Sequence, residues 1–133
     1  MSAKRIVIAD DEPHISRVMS LFLGREGYEV EVVRGGDAAL EAIERKVPDV
    51  LITDINMPGM GGRELCLELE KRMPERAFKI IVMTSMTNRE HREWSQDLRD
   101  TTFLEKPVSM RAIVSILAKH FNRSSSAAEP GSG

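Results

Sequence analysis

The chain has 133 residues, a formal net charge of −2 and an ordinary proportion of apolar residues. This length suits one domain with a single hydrophobic core, and the charge gives no reason to expect a nucleic acid as partner. No apolar run is long enough to span a bilayer, and acidic residues follow the first apolar run where a signal peptide would have its cleavage site. The single cysteine, Cys66, cannot form an internal disulfide, so we expect a cytoplasmic protein without a membrane partner.

Short apolar runs alternate along the chain with segments of helical periodicity. This alternation predicts βαβ units, and therefore an α/β fold in which a parallel sheet has helices on both faces. The predicted strands cover residues 5–9, 28–33, 47–54, 79–84 and 102–105. The predicted helices cover residues 13–24, 35–46, 61–73 and 88–100, and a fifth helix begins after Ser109 as its N-cap.

The positions of the apolar residues predict which elements are buried. The strand at 79–84 has a continuous apolar run at 80–83 and should be central, whereas the alternating strand at 28–33 should lie near an edge. Residues at helical spacing should form the apolar face of each helix. These residues are Ile15, Val18, Met19 and Phe22 in the first helix, Ala39, Leu40 and Ile43 in the second, Leu65, Cys66, Leu69 and Met73 in the third, Trp94 and Leu98 in the fourth, and Ile113, Ile116 and Leu117 in the fifth.

The composition changes at Arg123, where a small, polar stretch with proline and glycine begins. Such a stretch can bury almost no apolar surface. We therefore expect one domain at residues 1–122, followed at residues 123–133 by a flexible tail, a linker to another domain or a remnant of cloning.

Polar side chains occur where four of the five predicted strands end. Because the carboxyl ends of parallel strands meet at one rim of a sheet, these side chains should converge there. Crowded carboxylates repel each other unless a cation lies between them, and Mg²⁺ is a hard cation that such oxygen ligands hold. The converging residues are Asp10 and Asp11 after the first strand, Asp54 at the end of the third, Thr84 with Ser85 at the end of the fourth, and Lys106 after the fifth.

A metal at this rim would allow phosphoryl chemistry on a carboxylate. Aspartate forms acyl-phosphate intermediates in known phosphoryl transfer, and the rigid end of a buried strand would hold Asp54 within reach of a donor. The transferred group would need positive and hydrogen-bonding partners. Lys106, the Thr84 hydroxyl and the backbone N–H groups after Asp54 can supply them.

Each of these residues has an ordinary structural explanation when it is taken alone. Asp10 and Asp11 could cap the following helix, and Asp54 could start a turn. Thr84 has the β-branched side chain that strands favour, and Lys106 could be a solvated surface lysine. Only their joint placement at one rim favours a functional site.

Four motifs give the sequence its resemblance to a known family. The stretches IADDEP, DINMPGMGG, IIVMTS and FLEKPV, in this order and at these spacings, resemble the receiver domain of bacterial two-component response regulators. The resemblance covers roughly residues 4–121. It implies a flavodoxin-like, doubly wound fold with five helices and strand order 2-1-3-4-5. It also implies a signalling receiver that catalyses only its own phosphoryl transfer and dephosphorylation.

The resemblance implies a set of residues around the phosphoryl group and the metal. Asp54 would accept the phosphoryl group and share in binding Mg²⁺. Asp11 would be the main Mg²⁺ carboxylate, with Asp10 assisting, and Asn56 would contribute its backbone carbonyl. The donor would be a phosphorylated histidine on a histidine kinase or on a histidine phosphotransfer protein.

The resemblance also implies a switch that responds to the phosphoryl group. Thr84 would hydrogen-bond this group, Lys106 would pair with it, and Pro107 would follow a cis peptide bond. Thr84 and Phe103 would be the switch residues. Their movement would reshape the surface formed by the fourth helix, the fifth strand and the fifth helix, and a downstream protein would recognise the change. Phe103 could also be an ordinary packing residue of its strand.

Two other functions fit parts of the pattern. A Mg²⁺-dependent phosphatase similar to haloacid-type hydrolases would need an acid two residues after its nucleophile. Asn56 occupies that position and cannot act as a general acid, which argues against this function. A receiver that binds partners without phosphorylation would be expected to lack Asp54, the acidic pair or Lys106, and all of these are present. A P-loop nucleotide site is excluded because the chain has no Gly-x-x-x-x-Gly-Lys stretch.

Overall fold

The computed structural model describes residues 3–85, 93–96 and 98–128. The strands are β1 (Arg5–Ala9), β2 (Glu29–Val33), β3 (Val50–Asp54), β4 (Lys79–Thr84) and β5 (Thr101–Glu105). The helices are α1 (Pro13–Arg25), α2 (Gly36–Arg45), α3 (Gly62–Arg72), α4, which is described at residues 93–95, and α5 (Met110–Ala128). Every predicted strand is confirmed, with only small shifts of its bounds.

The five strands form one parallel sheet in the order β2-β1-β3-β4-β5, which confirms the predicted fold class. The inner strands β1, β3 and β4 are buried along nearly their whole length, because helices cover both faces of the sheet. This burial is the reason for their continuous apolar runs. The edge strands β2 and β5 are partly exposed. Parallel pairing brings the carboxyl ends of all five strands to the same rim.

Side chains alternate along the strands and divide the core into two layers. In the first layer the sheet residues Val7, Ala9, Leu51, Ile80 and Val82 pack against α2 and α3 through Ala39, Leu40, Ile43, Leu65, Cys66 and Leu69. In the second layer the sheet residues Ile6, Ile8, Val50, Ile52, Ile81 and Met83 pack against α1 and α5 through Met19, Leu23, Ile113 and Leu117. The buried faces predicted for α2, α3 and α5 are therefore confirmed, with Met73 and Ile116 only partly buried.

The face of α1 that packs on the sheet differs from the predicted one. Its buried residues are Ser16, Met19 and Leu23, so Met19 alone of the predicted face is buried. The exposed large apolar residues of this helix are Ile15, Val18, Leu21 and Phe22. The prediction was wrong because α1 is apolar on more than one side, and apolar spacing alone then does not define which side meets the sheet.

The predicted helix at residues 88–100 lies in part outside the described residues. Residues 93–95 within it are helical. Trp94 and Leu98 pack against the layer of α2 and α3, as predicted.

The last helix begins where the sequence predicts and extends beyond the predicted boundary. The Ser109 hydroxyl accepts a hydrogen bond from the Ala112 N–H at 3.3 Å, which confirms the N-cap. The backbone of α5 is helical as far as Ala128, and the division between a domain at residues 1–122 and a tail stays a prediction. In the part of the chain that the structure describes, no helix combines the length and the apolarity that crossing a membrane requires.

Candidate functional site

The polar residues that were predicted to converge lie at the carboxyl rim of the sheet. Asp10 directly follows β1, Asp54 is the last residue of β3, and Thr84 is the last residue of β4. Lys106 directly follows β5, and its backbone N–H donates to the Thr84 carbonyl at 2.9 Å. This bond continues the pairing of β4 with β5 up to the rim.

Four carboxylates gather at this rim. Asp10, Asp11, Glu12 and Asp54 each offer one ligand oxygen, and these atoms all lie within 4.8 Å of one another. Asp10 and Asp54 are each 1% exposed, whereas Asp11 and Glu12 are exposed. The cluster is therefore anchored in the core on one side and open to an incoming donor on the other.

Asp54 is held by contacts on both of its carboxylate oxygens. Its Oδ2 accepts a hydrogen bond from Lys106 Nζ at 2.8 Å, and its Oδ1 accepts one from the Asn56 N–H at 3.3 Å. The backbone behind it is also tightly packed. A Cβ atom at Gly62 would lie 2.2 Å from the Asp54 carbonyl oxygen. These contacts fix the position of the carboxylate at the end of β3.

Asp10 has a buried oxygen without a partner. Its Oδ1 accepts a hydrogen bond from the Glu12 N–H at 2.9 Å, but its Oδ2 is buried and makes no hydrogen bond to the described residues. Burial raises the pKa of Asp10, and the charges of Asp54 and Glu12 raise it as well. The hydrogen bond from the Glu12 N–H and the charge of Lys106 lower it, but the net shift is upward. A hard divalent cation would stabilise such a buried carboxylate among other carboxylates. The residues present therefore fit Mg²⁺.

Lys106 presents a positive charge to this cluster. Its Nζ lies 2.8 Å from Asp54 Oδ2 and 3.6 Å from Glu12 Oε1. Burial lowers the pKa of Lys106, but the hydrogen bond with Asp54 and the charges of Asp54, Glu12 and Asp10 outweigh burial and raise the pKa above its usual value. Lys106 is therefore a firmly protonated ammonium beside Asp54. The peptide bond between Lys106 and Pro107 is cis, the isomer that the resemblance implies.

The remaining predicted site residues lie in different surroundings. Thr84 is 1% exposed at the end of the inner strand β4. Phe103 is half-buried in β5 and contacts Trp94 edge to face, with the ring centroids 5.5 Å apart. Asn56 is exposed in the loop after β3.

Among the described residues, two clefts open beside the acidic cluster. One is lined by Asp11, Asn56 and Arg63 between the loop after β1 and the start of α3. The other has Glu12 and Lys106 near the cluster and is otherwise lined mainly by apolar residues of α1 and of the segment before α5. The rim around the acidic cluster is therefore open on the side of Asp11 and on the side of Glu12 and Lys106.

Glu12 belongs to the cluster although the sequence pattern did not single it out. It directly follows the acidic pair in the IADDEP stretch, and this adjacency was the available signal. Glu12 is also the N-cap residue of α1, and its side chain makes no capping hydrogen bond. The capping explanation for Asp10 and Asp11 is therefore wrong for this helix.

A five-stranded parallel sheet with carboxylates and a lysine at its carboxyl rim defines a protein of the signalling receiver class. The model of one family, described as the response regulator receiver domain, matches residues 6–118. The chain belongs to this family. Receiver domains are the phosphoryl-accepting domains of two-component signalling, and they bind Mg²⁺ at an acidic pocket.

Solved structures of receivers resemble the chain over most of its length. A CheY-like receiver domain protein from Methanospirillum hungatei is 29% identical, with a TM-score of 0.83 over 95% of this chain and 99% of that chain. The chemotaxis protein CheY4 of Vibrio cholerae is 27% identical, with a TM-score of 0.80 over 89% and 98%. The response regulator TrrA of Thermotoga maritima, in complex with Mg²⁺ and BeF, is 29% identical, with a TM-score of 0.76 over 88% and 98%.

Proposed function

We propose that this chain accepts a phosphoryl group on Asp54 from a phosphorylated histidine of a histidine kinase or of a histidine phosphotransfer protein. The P–N bond to the donor imidazole breaks while a P–O bond to an Asp54 carboxylate oxygen forms, and the imidazole keeps the electron pair of the broken bond. The observation that carries the proposal is the 2.8 Å hydrogen bond from Lys106 Nζ to Asp54 Oδ2 within a cluster of four carboxylates. An ammonium in this position balances the charge that the phosphoryl group brings.

Asp10, Asp11 and Asp54 would hold Mg²⁺, with the backbone carbonyl of Asn56 as a further ligand. The buried and unpartnered Oδ2 of Asp10 supports this set, because a carboxylate oxygen in that position needs a positive partner. Bound Mg²⁺ neutralises negative charge on phosphoryl oxygens. Thr84, at the end of β4, would donate its hydroxyl hydrogen bond to the phosphoryl group.

The output is a change in protein–protein binding at the surface formed by α4, β5 and α5. Thr84 and Phe103 would be the switch residues. The strands that carry them are neighbours in the sheet, and Phe103 contacts Trp94 of α4. A movement of Thr84 toward a phosphoryl group would therefore reach this surface through adjacent packed elements.

The chain would act on no substrate besides its own phosphoryl group. Dephosphorylation would proceed by attack of water on phosphorus, which returns the Asp54 carboxylate and releases inorganic phosphate. Residues 1–122 would form the receiver, and the donor and the downstream target would both bind it. Residues 123–133 would be a tail or linker outside the receiver, and its first part continues the backbone of α5 to Ala128.

Intact-mass spectrometry with acetyl phosphate tests the acceptor. The protein is mixed with Mg²⁺ and acetyl phosphate, and its mass is followed over time beside a sample with EDTA. We expect one phosphoryl adduct that requires Mg²⁺, is labile to base, and is absent from the Asp54→Asn variant. An Asp37→Asn variant is the matched control, because Asp37 is an exposed aspartate in the first turn of α2 and should leave the adduct unchanged.

Beryllofluoride serves as a second probe because it mimics a phosphoryl group without needing a transfer step. The absence of an adduct, together with no binding of beryllofluoride in the presence of Mg²⁺, would contradict the proposal. An adduct that persists in the Asp54→Asn variant would contradict the assignment of Asp54.

A further inference from the structure

Glu12 uses its side chain for something other than its own helix. It is the N-cap residue of α1, with extended backbone angles, yet no side-chain hydrogen bond caps the helix. The carboxylate instead lies 3.6 Å from Lys106 Nζ, and both residues line the same cleft. Its backbone N–H donates a hydrogen bond to Asp10 Oδ1 at 2.9 Å. Both the backbone and the side chain of Glu12 therefore contact residues of the rim.

Lys106 is consequently shared between two carboxylates. Its Nζ is 2.8 Å from Asp54, which is 1% exposed, and 3.6 Å from Glu12, whose side chain is 52% exposed. Glu12 lies on the solvent side of the ammonium, whereas Asp54 is part of the core. Attraction toward Glu12 therefore opposes full engagement of the ammonium with Asp54 and with any group bound to it.

We propose that Glu12 is a positioning residue that competes with Asp54 for the Lys106 ammonium, so that it favours cation binding at the cluster and weakens retention of a phosphoryl group on Asp54. This inference rests on the proposed function of Asp54 and Lys106. Glu12 itself touches neither the phosphoryl group nor the metal in this role, and it acts through the position of Lys106.

The two effects have opposite signs, and this gives the proposal a distinctive signature. With the Glu12 charge present, the cluster is more negative, which strengthens its attraction for Mg²⁺. The same charge draws the ammonium away from a phosphoryl group on Asp54. Removal of the charge should therefore weaken Mg²⁺ binding and strengthen binding of a phosphoryl mimic.

Isothermal titration calorimetry on the full chain measures both affinities. Mg²⁺ is titrated alone, and beryllofluoride is then titrated at saturating Mg²⁺. For Glu12→Gln we expect the Mg²⁺ affinity to fall and the beryllofluoride affinity to rise, each by about two- to fivefold, since the pair is partly exposed. The matched control is Glu26→Gln, which makes the same charge change at the exposed C-cap of α1, away from the rim, and should leave both affinities unchanged.

A Glu12→Asp variant separates positioning from a general effect of charge. The shorter carboxylate has less reach toward Lys106 and is a favoured N-cap, so it should turn to the N–H groups of its own helix. We expect beryllofluoride to bind Glu12→Asp more tightly, as it binds Glu12→Gln, while Mg²⁺ affinity stays near that of the wild type because the charge is kept. Wild-type values for both ligands in Glu12→Asp would overturn the positioning role.

Other outcomes also decide the matter. Equal affinities for Glu12→Gln and Glu26→Gln, or a fall of both affinities in Glu12→Gln, would overturn this proposal. A fall in Mg²⁺ affinity of well over about tenfold would instead mark Glu12 as a metal ligand, and would overturn the positioning role in the same way.

If the wild type binds no beryllofluoride in the presence of Mg²⁺, the proposed function fails first. If the wild type binds it and only the Glu12 signature is missing, the proposed function stands without this inference.

Discussion

At the scale of single residues, Gly62 shows how closely the chain packs behind the acceptor carboxylate. A Cβ atom at this position would lie 2.2 Å from the Asp54 carbonyl oxygen and 2.8 Å from Ile55 Cα. Both of these are backbone atoms and cannot rotate away. Glycine at position 62 is therefore a steric requirement of the end of β3, and helix propensity does not explain it.

We expect Gly62→Ala to destabilise the protein by about 1–3 kcal/mol, because the added methyl group must push the backbone of Asp54 and Ile55. The same displacement should weaken binding of Mg²⁺ and beryllofluoride. Urea unfolding and calorimetric titration measure the two effects. Gly24→Ala is the matched control. Apart from its chain neighbours and its own helix backbone, no atom of the described residues lies within 4 Å of a Cβ there, and alanine favours the helix, so stability should rise by about 0.5 kcal/mol. Equal stabilities for both variants would refute the steric requirement.

At the scale of elements, charged contacts join the amino end of β1 to β2 and α2. Arg5 is 7% exposed, and its Nη2 donates to Glu31 Oε1 at 2.6 Å. Arg45 of α2 donates to the other oxygen of Glu31 at 2.8 Å. The hydrogen bond with Arg5, followed by the charges of Arg5 and Arg45, holds the pKa of Glu31 below its usual value. Glu31 is thus the nearer of two carboxylates that neutralise a largely buried arginine, the other being Glu29 at 3.8 Å.

The lowered pKa of Glu31 predicts a dependence of stability on pH. Because the folded state favours the ionised carboxylate, its contribution is present above the usual glutamate value of 4.5 and is lost as pH falls through the lower folded pKa. Urea unfolding at pH 7 should show Glu31→Gln less stable by about 0.5–1 kcal/mol, a modest value because the carboxylate is partly exposed. The difference should shrink below pH 4.5. The control is Glu41→Gln, at an exposed position of α2. If the stability difference between the wild type and Glu31→Gln were constant with pH, the role of ionised Glu31 in stability would be contradicted.

The contact between α4 and β5 gives a test of the proposed switch. Trp94 is the only tryptophan of the chain, and its ring meets Phe103 edge to face at 5.5 Å. If Phe103 moves when Asp54 is occupied, the surroundings of the indole change. We expect Mg²⁺ and beryllofluoride to alter Trp94 fluorescence in the wild type, to have no such effect in Asp54→Asn, and to have a smaller effect in Phe103→Leu. Unaltered emission at saturating ligand would argue against the switch role of Phe103.

At the scale of the whole molecule, the acidic rim couples metal binding to folding. Four carboxylates are brought together only when β1 and β3 pair, so the unfolded chain presents no comparable site. Mg²⁺ should therefore bind the folded state selectively and stabilise it. In the absence of metal, the buried Asp10 carboxylate opposes folding, because burial and its carboxylate neighbours disfavour its charge.

These two effects predict that Mg²⁺ changes the relative stability of the wild type and Asp10→Asn. At about 100 times its dissociation constant, Mg²⁺ should raise the free energy of unfolding of the wild type by about 2.7 kcal/mol. Without metal, Asp10→Asn should be more stable than the wild type, because a buried charge is removed, and it should gain less from added Mg²⁺. Thermal or urea unfolding with EDTA and with Mg²⁺ measures both. If Mg²⁺ stabilised the wild type and Asp10→Asn equally, Asp10 would take no part in binding the cation.

Much of this architecture follows from the sequence alone. Continuous apolar runs identify the inner strands, since only a strand covered on both faces buries every side chain. Alternation with helical segments then implies a parallel sheet, and a parallel sheet places Asp10, Asp54, Thr84 and Lys106 at one rim. The number of layers, the strand positions and the location of the acidic rim are therefore consequences of local pattern and of general rules of topology.

Tertiary structure alone decided which of several compatible side-chain arrangements the molecule adopts. Apolar residues cover more than one side of α1, and only packing on the sheet selected Ser16 and Leu23 over Ile15 for burial. Glu12 could have capped its own helix, yet the partner of its side chain is Lys106, which is far away along the chain. Such choices depend on side-chain rotamers and on the space between elements that are distant in sequence, and local pattern carries no information about either.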